Sequence, residues 1–278
     1  MTLVDLTHPL WAGMPKIPIL PEVERHQITS IAEGAPMDIS SISLALHVGT
    51  HIDALSHVVP GGTPIDAIPV ERFVGDAVVS RVRREPGEEI TVDDVLAGGP
   101  EPEPGEFLLV ATGWDAKFTS PQYADHPSLA PELATWAVER GIPFVGVDLI
   151  TPDLPVHRRG PGFDFPVHRT LLGNDVLIAE NLTGLAALGG RRVRLHAFPW
   201  PSVAGTPVPP GYSRRNGARG HEPSTAPGAL PLDDPDSPLS RAARQPLMLG
   251  LFLPSRPARS PSPRWSAGPA GTSSTTGT

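Results

Sequence analysis

The sequence His47-Val48-Gly49-Thr50-His51-Ile52-Asp53-Ala54-Leu55-Ser56-His57 places three imidazoles and one carboxylate within eleven residues. Residues 41–46 before it alternate small or polar with apolar side chains, the period-two pattern of a half-buried strand. All four groups occupy odd positions, so an extended backbone would point them to one side, and Gly49 permits a kink. Because imidazole and carboxylate are ligands of zinc- or manganese-like ions, the stretch predicts a metal site. The alternative is a polar strand end whose histidines are satisfied within the protein.

The composition of the chain excludes several classes of protein. The 22 Lys and Arg against 30 Asp and Glu give a net charge of -8, which argues against nucleic acid as a partner. Cysteine is absent, so disulfides and thiolate chemistry are excluded, as fits a reducing compartment. Residues 1–5 carry no secretory signal pattern, and no apolar run reaches the roughly 18–20 residues of a membrane span. We therefore expect a cytoplasmic protein with no membrane partner.

The composition also divides the chain into two parts. Residues 1–208 read as one globular domain, whereas residues 209–278 are rich in Pro, Arg and Ser. Such a segment cannot bury enough apolar area to offset the loss of chain entropy on folding. We predict that residues 209–278 form a low-complexity, disordered tail.

The globular part has the pattern of an α/β fold. Continuous apolar runs at 107–112 and 143–148 predict strands buried on both faces. Between them, Ser128 can cap a helix with Pro131 in its first turn that ends at Gly141, so a parallel βαβ unit is predicted. Further elements are predicted as strands over 3–6, 22–31, 73–82, 176–180 and 193–197, a helix beginning at Thr91, and a short helix or turn over 168–173.

Two later residues are candidates for the other half of the site. Glu180 ends an apolar strand, where a carboxylate is costly unless it is paired or bound to a metal. Its metal-free alternative is an ion pair with Arg191 or Arg192. His168 is the second candidate, and His157 is its rival, because composition does not choose between them.

The eleven residues, taken with these later ones, resemble the signature of the metal-dependent cyclase family, which includes bacterial kynurenine formamidases and isatin hydrolase-like enzymes. The family's later segments, a Gly-x-Asp, a His and a Glu followed by Asn-Leu, are matched by 146–148, 168–172 and 179–182. Residues 5–10 resemble its first strand. The resemblance covers roughly residues 3–205 and implies the family's swivelling β/β/α fold in a homo-oligomer.

The resemblance also implies roles for individual residues. It implies two divalent ions per subunit, zinc or manganese, with Asp53 and Glu180 bridging them. The implied ligands are His47, His51, Asp53, His168 and Glu180. His57 would be the catalytic acid and base, while Asp148 and Thr151 would orient ligands or serve structural roles. Ile17 stands where formamidases place a substrate-stacking aromatic residue, and Trp11 is close to it, so both are weak candidates for substrate contact.

The reaction implied by the resemblance is hydrolysis of a C–N bond by a metal-activated hydroxide. The preferred interpretation is an arylformamidase-like enzyme acting on a small-molecule amide. One alternative is a cyclic-amide (isatin-like) or lactone hydrolase of the same family. The alternative from another class is a catalytically inactive metal-binding protein.

Overall fold

The structure is a computed structural model that describes residues 3–200. The predicted tail, residues 209–278, lies outside this part, so its disorder and the boundary at residue 208 stay predictions. The described strands are β1 (Glu24–Thr29), β2 (Ile39–Ser43), β3 (His51–Asp53), β4 (Val74–Arg81), β5 (Glu89–Ile90), β6 (Phe107–Ala111), β7 (Ser128–Leu129), β8 (Phe144–Val147), β9 (Leu177–Glu180) and β10 (Arg191–His196). The described α-helices are α1 (Val92–Gly98), α2 (Pro131–Glu139) and α3 (Pro166–Gly173).

A six-stranded mixed sheet forms the centre of the fold, in the order β10-β4-β6-β8-β9-β3. Its four inner strands run parallel to their inner neighbours, while β10 and β3 pair antiparallel at the two edges. Strands β1 and β2 form a separate antiparallel hairpin, and β5 pairs with β7 in parallel. This arrangement confirms the predicted α/β class and places the short strand β3 at one edge.

Apolar side chains cover both faces of the sheet, because successive strand residues point to opposite sides. On one face, Leu108 and Val110 of β6 belong to the same buried cluster as residues of α2 and α3. On the other face, Phe107 and Leu109 belong to a second cluster with β10 and residues 182–188. Burial on both faces explains why β6 reads as a continuous apolar run.

The predicted βαβ unit is confirmed, since α2 lies between the parallel neighbours β6 and β8. Gly146 in β8 has a packing role in this unit. A Cβ built at Gly146 would lie 2.6 Å from Leu109 Cδ2 and 2.8 Å from Leu182 Cδ1. The glycine of the Gly-x-Asp segment is therefore required because a larger residue would collide with the side chains of Leu109 and Leu182, and not because of a contact with the site.

Three local predictions were wrong. Residues 3–6 form no strand in the described structure, because the segment has only isolated bridge residues, Asp5 and Thr7, of which Thr7 pairs antiparallel with Leu182. The strand expected to run into His47 ends at Ser43, where the backbone begins to turn. Ser128 lies in β7, and the N-cap of α2 is Ala130, whose successor Pro131 needs no hydrogen bond for its nitrogen.

Other predicted elements are present with small changes in their bounds. The region 22–31 contains β1, 73–82 contains β4, 176–180 contains β9, and 193–197 overlaps β10. Thr91 caps α1 with a full capping box, in which its hydroxyl accepts from the Asp94 backbone and Asp94 accepts from the Thr91 backbone. In residues 3–200, no helix combines the length and apolar character needed to cross a membrane.

Candidate metal centre

Asp53 lies at the centre of a cluster that contains all five predicted ligands. Its Oδ1 is 2.9 Å from His47 Nδ1 and 3.5 Å from His51 Nε2, and its Oδ2 is 3.5 Å from His168 Nε2. Glu180 lies across from it, with Oε2 3.2 Å from His51 Nε2 and Oε1 3.2 Å from His168 Nε2. The two carboxylates are therefore interleaved among three imidazoles.

Sheet pairing brings the two halves of this cluster together. The antiparallel register of β3 and β9 sets His51 opposite Glu180 and Asp53 opposite Ile178. The side chains of His51 and Asp53 point to the same side, because they are two residues apart in one strand. His168 joins them from the first turns of α3, which packs against β9.

His47 reaches the cluster from a turn, not from the extended strand that the sequence suggested. The turn depends on Gly49, which has a φ of 69°, in the left-handed region that favours glycine. A Cβ built there would lie 3.0 Å from Leu10 Cδ2 and 3.1 Å from Met14 Cε. The kink expected at Gly49 is thus present, and it folds His47 back towards Asp53.

The donor set fits a divalent cation. Among residues 3–200, buried side-chain atoms without a hydrogen-bond partner include His47 Nδ1, His51 Nε2, both Asp53 oxygens and Glu180 Oε1. Unpartnered buried polar atoms are costly, so a convergence of them indicates a missing ligand. Two sets of three donors lie within 4.8 Å of one another, namely His47-Asp53-His57 and His51-Asp53-Glu180. Nitrogen and carboxylate oxygen donors are the usual ligands of zinc and similar ions.

The charges of the cluster shift the pKa values of its members in opposite directions. Burial disfavours the charged form of His51, but Asp53 and Glu180 outweigh it and raise the pKa of His51 to about 10. Burial also opposes ionisation of Asp53, yet the neighbouring imidazoles hold the pKa of Asp53 well below its usual range. The two buried carboxylates thus favour a positive charge between them, as a divalent cation would supply.

Two contacts fix the orientation of the buried imidazoles. The Nδ1 of His51 lies 2.8 Å from the Gly49 carbonyl oxygen, and the Nδ1 of His168 lies 2.5 Å from Asp153 Oδ2. Each acceptor fixes a proton on Nδ1 and leaves Nε2 facing the carboxylate pair. Asp153 also accepts the backbone N–H groups of Val167 and His168, so it caps α3 at the same time.

Sequence reasoning missed Asp153. No local sequence signal marks it, because the N-cap of α3 is Phe165 and Asp153 reaches the first turn of the helix only through the fold of the chain. Asp148, for which either an orienting or a structural role was predicted, accepts from the backbone N–H groups of Thr112 and Gly113 and from the Thr112 hydroxyl, which is a structural role. Thr151 is buried.

A second layer of hydrogen bonds holds the backbone on both sides of the cluster. The Thr50 hydroxyl donates to the Asn181 carbonyl and accepts from the His8 backbone at 2.9 Å. The Tyr123 hydroxyl donates to Asn181 Oδ1 at 2.9 Å. These bonds tie the residue before His51 to the residue after Glu180, which stiffens the ligand geometry.

His57 occupies a different position from the other imidazoles. It is the last residue of a 3₁₀ turn over Leu55–His57 and is exposed to solvent. Its ring centroid is 4.0 Å from that of His47 and 5.7 Å from that of His168. His51 and His168, in contrast, are 6% and 4% exposed. His57 therefore lies where a group on the metal centre could be reached from solvent.

The remaining candidates lie around this centre. His157 lies at the surface, 2.9 Å from Asp125, so the structure places His168 and not its rival in the cluster. Arg192 pairs with Glu106 and not with Glu180, which removes the ion-pair alternative that named it. Ile17 and Trp11 pack against the larger core cluster, and Trp11 meets Phe118 edge-on with ring centroids 5.7 Å apart.

Comparison with known proteins gives consistent matches. A family model described as "Putative cyclase" matches residues 4–154, more than half of the chain. A kynurenine formamidase of Bordetella petrii is 29% identical over 191 residues, which are 65% of this chain and 82% of that protein.

Two solved structures share the fold. A predicted metal-dependent hydrolase from Bacillus stearothermophilus is 28% identical and superposes with a TM-score of 0.58. The match covers 71% of this chain and 90% of the hydrolase chain. Isatin hydrolase A from Labrenzia aggregata, bound to benzyl benzoate, is 26% identical, covers 74% and 90%, and gives a TM-score of 0.62. These matches confirm the cyclase-like fold that the resemblance implied.

Proposed function

The chain belongs to the cyclase family, and on that premise we propose that it is a metal-dependent hydrolase that cleaves the C–N bond of an aryl formamide. The family membership and the relatives named kynurenine formamidase and metal-dependent hydrolase support the hydrolase class. The relatives named kynurenine formamidase support an aryl formamide as the substrate.

The observation that carries the proposal is the interleaving of Asp53 and Glu180 among three imidazoles. Asp53 lies within 3.5 Å of His47, His51 and His168, and Glu180 within 3.2 Å of His51 and His168. Such a set supplies five ligands and two carboxylates able to bridge, which suits two ions better than one. We propose zinc or manganese, because both accept nitrogen and carboxylate ligands.

A divalent ion bound there would polarise the amide carbonyl and lower the pKa of water towards about 7. The chain itself would supply the proton transfers. His57 is exposed, adjacent to His47 and His168, and outside the His51-Asp53-Glu180 group. We propose that His57 takes a proton from the attacking water and returns one to the leaving nitrogen, which departs poorly unless protonated.

Asp153 and the Gly49 carbonyl would hold the ligands still during this reaction. Their hydrogen bonds to Nδ1 of His168 and His51 keep both Nε2 atoms aimed at the carboxylates. The Thr50–Asn181–Tyr123 bonds support the same geometry from behind. Preorganised ligands reduce the reorganisation that the reaction requires.

A second candidate function is hydrolysis of a cyclic amide or a lactone. The likeness to an isatin hydrolase at 26% identity favours it, and the same donors and the same imidazole would serve. The third possibility, an inactive metal-binding protein, is disfavoured because the five ligands and His57 are all present and clustered.

Metal analysis followed by a substrate screen tests the proposal. Purified protein should contain two equivalents of zinc or manganese and should hydrolyse N-formylkynurenine faster than isatin or simple lactones. Faster turnover of isatin or a lactone would select the second candidate. Folded, metal-loaded protein that hydrolyses none of the three would contradict the enzyme assignment.

A further inference from the structure

Arg159 is a half-buried arginine beside the metal centre with no acidic partner. Its Nε donates to the Leu154 carbonyl at 2.8 Å, and within residues 3–200 its two terminal nitrogens have neither a hydrogen bond nor an ion pair. Six other arginines in the described part pair with carboxylates, namely Arg72, Arg84, Arg140, Arg158, Arg192 and Arg194. The remaining described arginines, which have no such pair, are exposed to solvent: Arg25, Arg81, Arg83, Arg169 and Arg191. A partly desolvated guanidinium without a counter-charge is costly, so Arg159 has the character of an anion-binding group.

The guanidinium is held in a fixed position. Its Cζ lies 4.8 Å from the ring centroid of Phe165 and 5.2 Å from that of Phe163, which are cation–π distances. The preceding residues are also fixed, because His157 and Arg158 both pair with Asp125 at 2.9 Å and 2.8 Å. A guanidinium restrained in this way loses little entropy on binding a ligand.

Phe165 links the guanidinium to the metal centre. The same ring that faces Arg159 meets the ring of His168 edge-on, with centroids 6.1 Å apart. Arg159 also experiences the charges of Asp153 and Glu180, which oppose the lowering of its pKa by burial. Both acids are already engaged with His168, so neither is available as a partner for Arg159.

The backbone at Phe165 supports a functional origin for this arrangement. Phe165 has φ 57° and ψ 60°, a left-handed conformation that is an outlier for a bulky side chain. Its side chain is nevertheless 38% exposed, so burial of the ring does not explain the strain. Strained residues of this kind concentrate at ligand-binding positions.

We propose that Arg159 binds a carboxylate of the substrate, so that the amide hydrolysed here is an aromatic compound with a carboxylate on a short side chain. The ring of the substrate would lie beside Phe165, between the guanidinium and the metal centre. The inference rests on the proposed function for the identity of the bond that is cleaved. It adds that neutral cyclic amides and lactones lack the carboxylate that Arg159 would bind.

The test compares N-formyl-L-kynurenine with its carboxamide, which differs only in the loss of the negative charge. Wild-type protein should prefer the acid in kcat/KM, and Arg159→Gln should lower kcat/KM for the acid by about 10–100-fold, mainly through KM. The carboxamide should be affected much less, so the preference for the acid should shrink. Arg159→Lys, which keeps the charge but not the planar fork, should lose less than Arg159→Gln.

Arg83→Gln is the matched control, since it removes one positive charge from an exposed residue outside the segment 154–165. This variant should have the wild-type kcat/KM for both the acid and the carboxamide. Equal loss for acid and carboxamide in Arg159→Gln would show that Arg159 only supports the fold and would overturn the inference. Survival of the acid preference in Arg159→Gln would overturn it as well.

A binding measurement separates this inference from the proposed function. Titration calorimetry of the metal-loaded protein should show tighter binding of kynurenine than of kynurenine carboxamide, with the difference lost in Arg159→Gln. If the protein binds in this way but hydrolyses no formamide, the proposed function fails and the anion site stands. If it hydrolyses formamides but shows no Arg159-dependent preference in binding or turnover, the function stands and the anion site fails.

Discussion

Asp153 and His168 are joined twice, once through the backbone and once through the imidazole. One carboxylate oxygen of Asp153 accepts the His168 backbone N–H at 3.1 Å and lies 2.5 Å from His168 Nδ1. The carboxylate that accepts N–H groups of the first turn of α3 is therefore also the group that orients the imidazole of His168. The first turn of the helix and the position of the ligand are thus held by a single side chain.

Asp153→Asn should weaken metal binding by about 10–100-fold while the protein remains folded, because the amide is a poorer acceptor and no longer fixes the His168 tautomer. The measurement is metal affinity by competition with a chelator, with thermal unfolding as a check on folding. Asp164→Asn, a change at an exposed carboxylate near the same helix, is the control and should bind metal normally. Unaltered affinity in Asp153→Asn would show that His168 does not need this partner.

His168→Ala and His51→Ala should each lose at least one metal equivalent, because the methyl group of alanine has no atom that can coordinate a metal ion. His157→Ala should keep the full complement, because that imidazole pairs with Asp125 at the surface. Metal content of the folded variants decides the matter. A wild-type stoichiometry in His168→Ala or His51→Ala would contradict the ligand assignment.

His57→Ala should retain its metals and lose about 10²–10⁴-fold in turnover if the imidazole transfers protons. The result matters because His57 also forms a three-donor group with His47 and Asp53. Activity and metal content must be measured on the same preparation. Loss of one metal equivalent would make His57 a ligand and would remove its assigned role as acid and base.

Buried His126 should make the protein less stable in acid. Burial lowers the pKa of His126 to about 4 from its ordinary 6.5, and its Nε2 has no hydrogen-bond partner in residues 3–200. The unfolded chain takes up a proton near pH 6.5 and the folded chain does not. The stabilising contribution is therefore complete above pH 6.5 and falls by about 1.4 kcal/mol per pH unit towards pH 4.

Denaturant unfolding at several pH values measures this contribution. The free energy of unfolding of His126→Asn should fall less steeply between pH 6.5 and 4 than that of the wild type. The metal ligands titrate in both proteins, so the difference in slope isolates His126. His26→Asn, at an exposed position, should keep the wild-type slope. Equal slopes in wild type and His126→Asn would refute the prediction.

A chain ending at Pro209 should fold and keep the metal content and activity per site of the full chain. All proposed ligands precede residue 181, and the last described strand, β10, ends at His196. Limited proteolysis and metal analysis of the two chains provide the comparison. The removed tail contains one apolar stretch, residues 247–253. Aggregation or metal loss in the shortened chain would show that this stretch belongs to the domain.

Local patterns in the sequence predicted most of the elements but not the shape of the site. The apolar run of β6, the capping residue Thr91 and the parallel unit around α2 were predictable, because each depends on neighbouring residues. The turn at His47 was not, because a period-two pattern continues past Ser43 while the backbone bends at Gly49. The sequence does not indicate strand pairing either: nothing near residue 7 predicts that Thr7 forms an isolated bridge with Leu182 and not a strand.

The sequence by itself determined the chemical identity of the centre. Three imidazoles and an aspartate in eleven residues, with a later His and Glu, specify nitrogen and oxygen donors for a divalent cation. Only the tertiary structure decided which histidine completes the set, since His157 and His168 differ in burial and partners but not in composition. It also revealed Asp153 and Arg159. The reason is physical: a ligand is selected by the distances between side chains, and those distances follow from the antiparallel pairing of β3 with β9, two strands more than 100 residues apart in the chain.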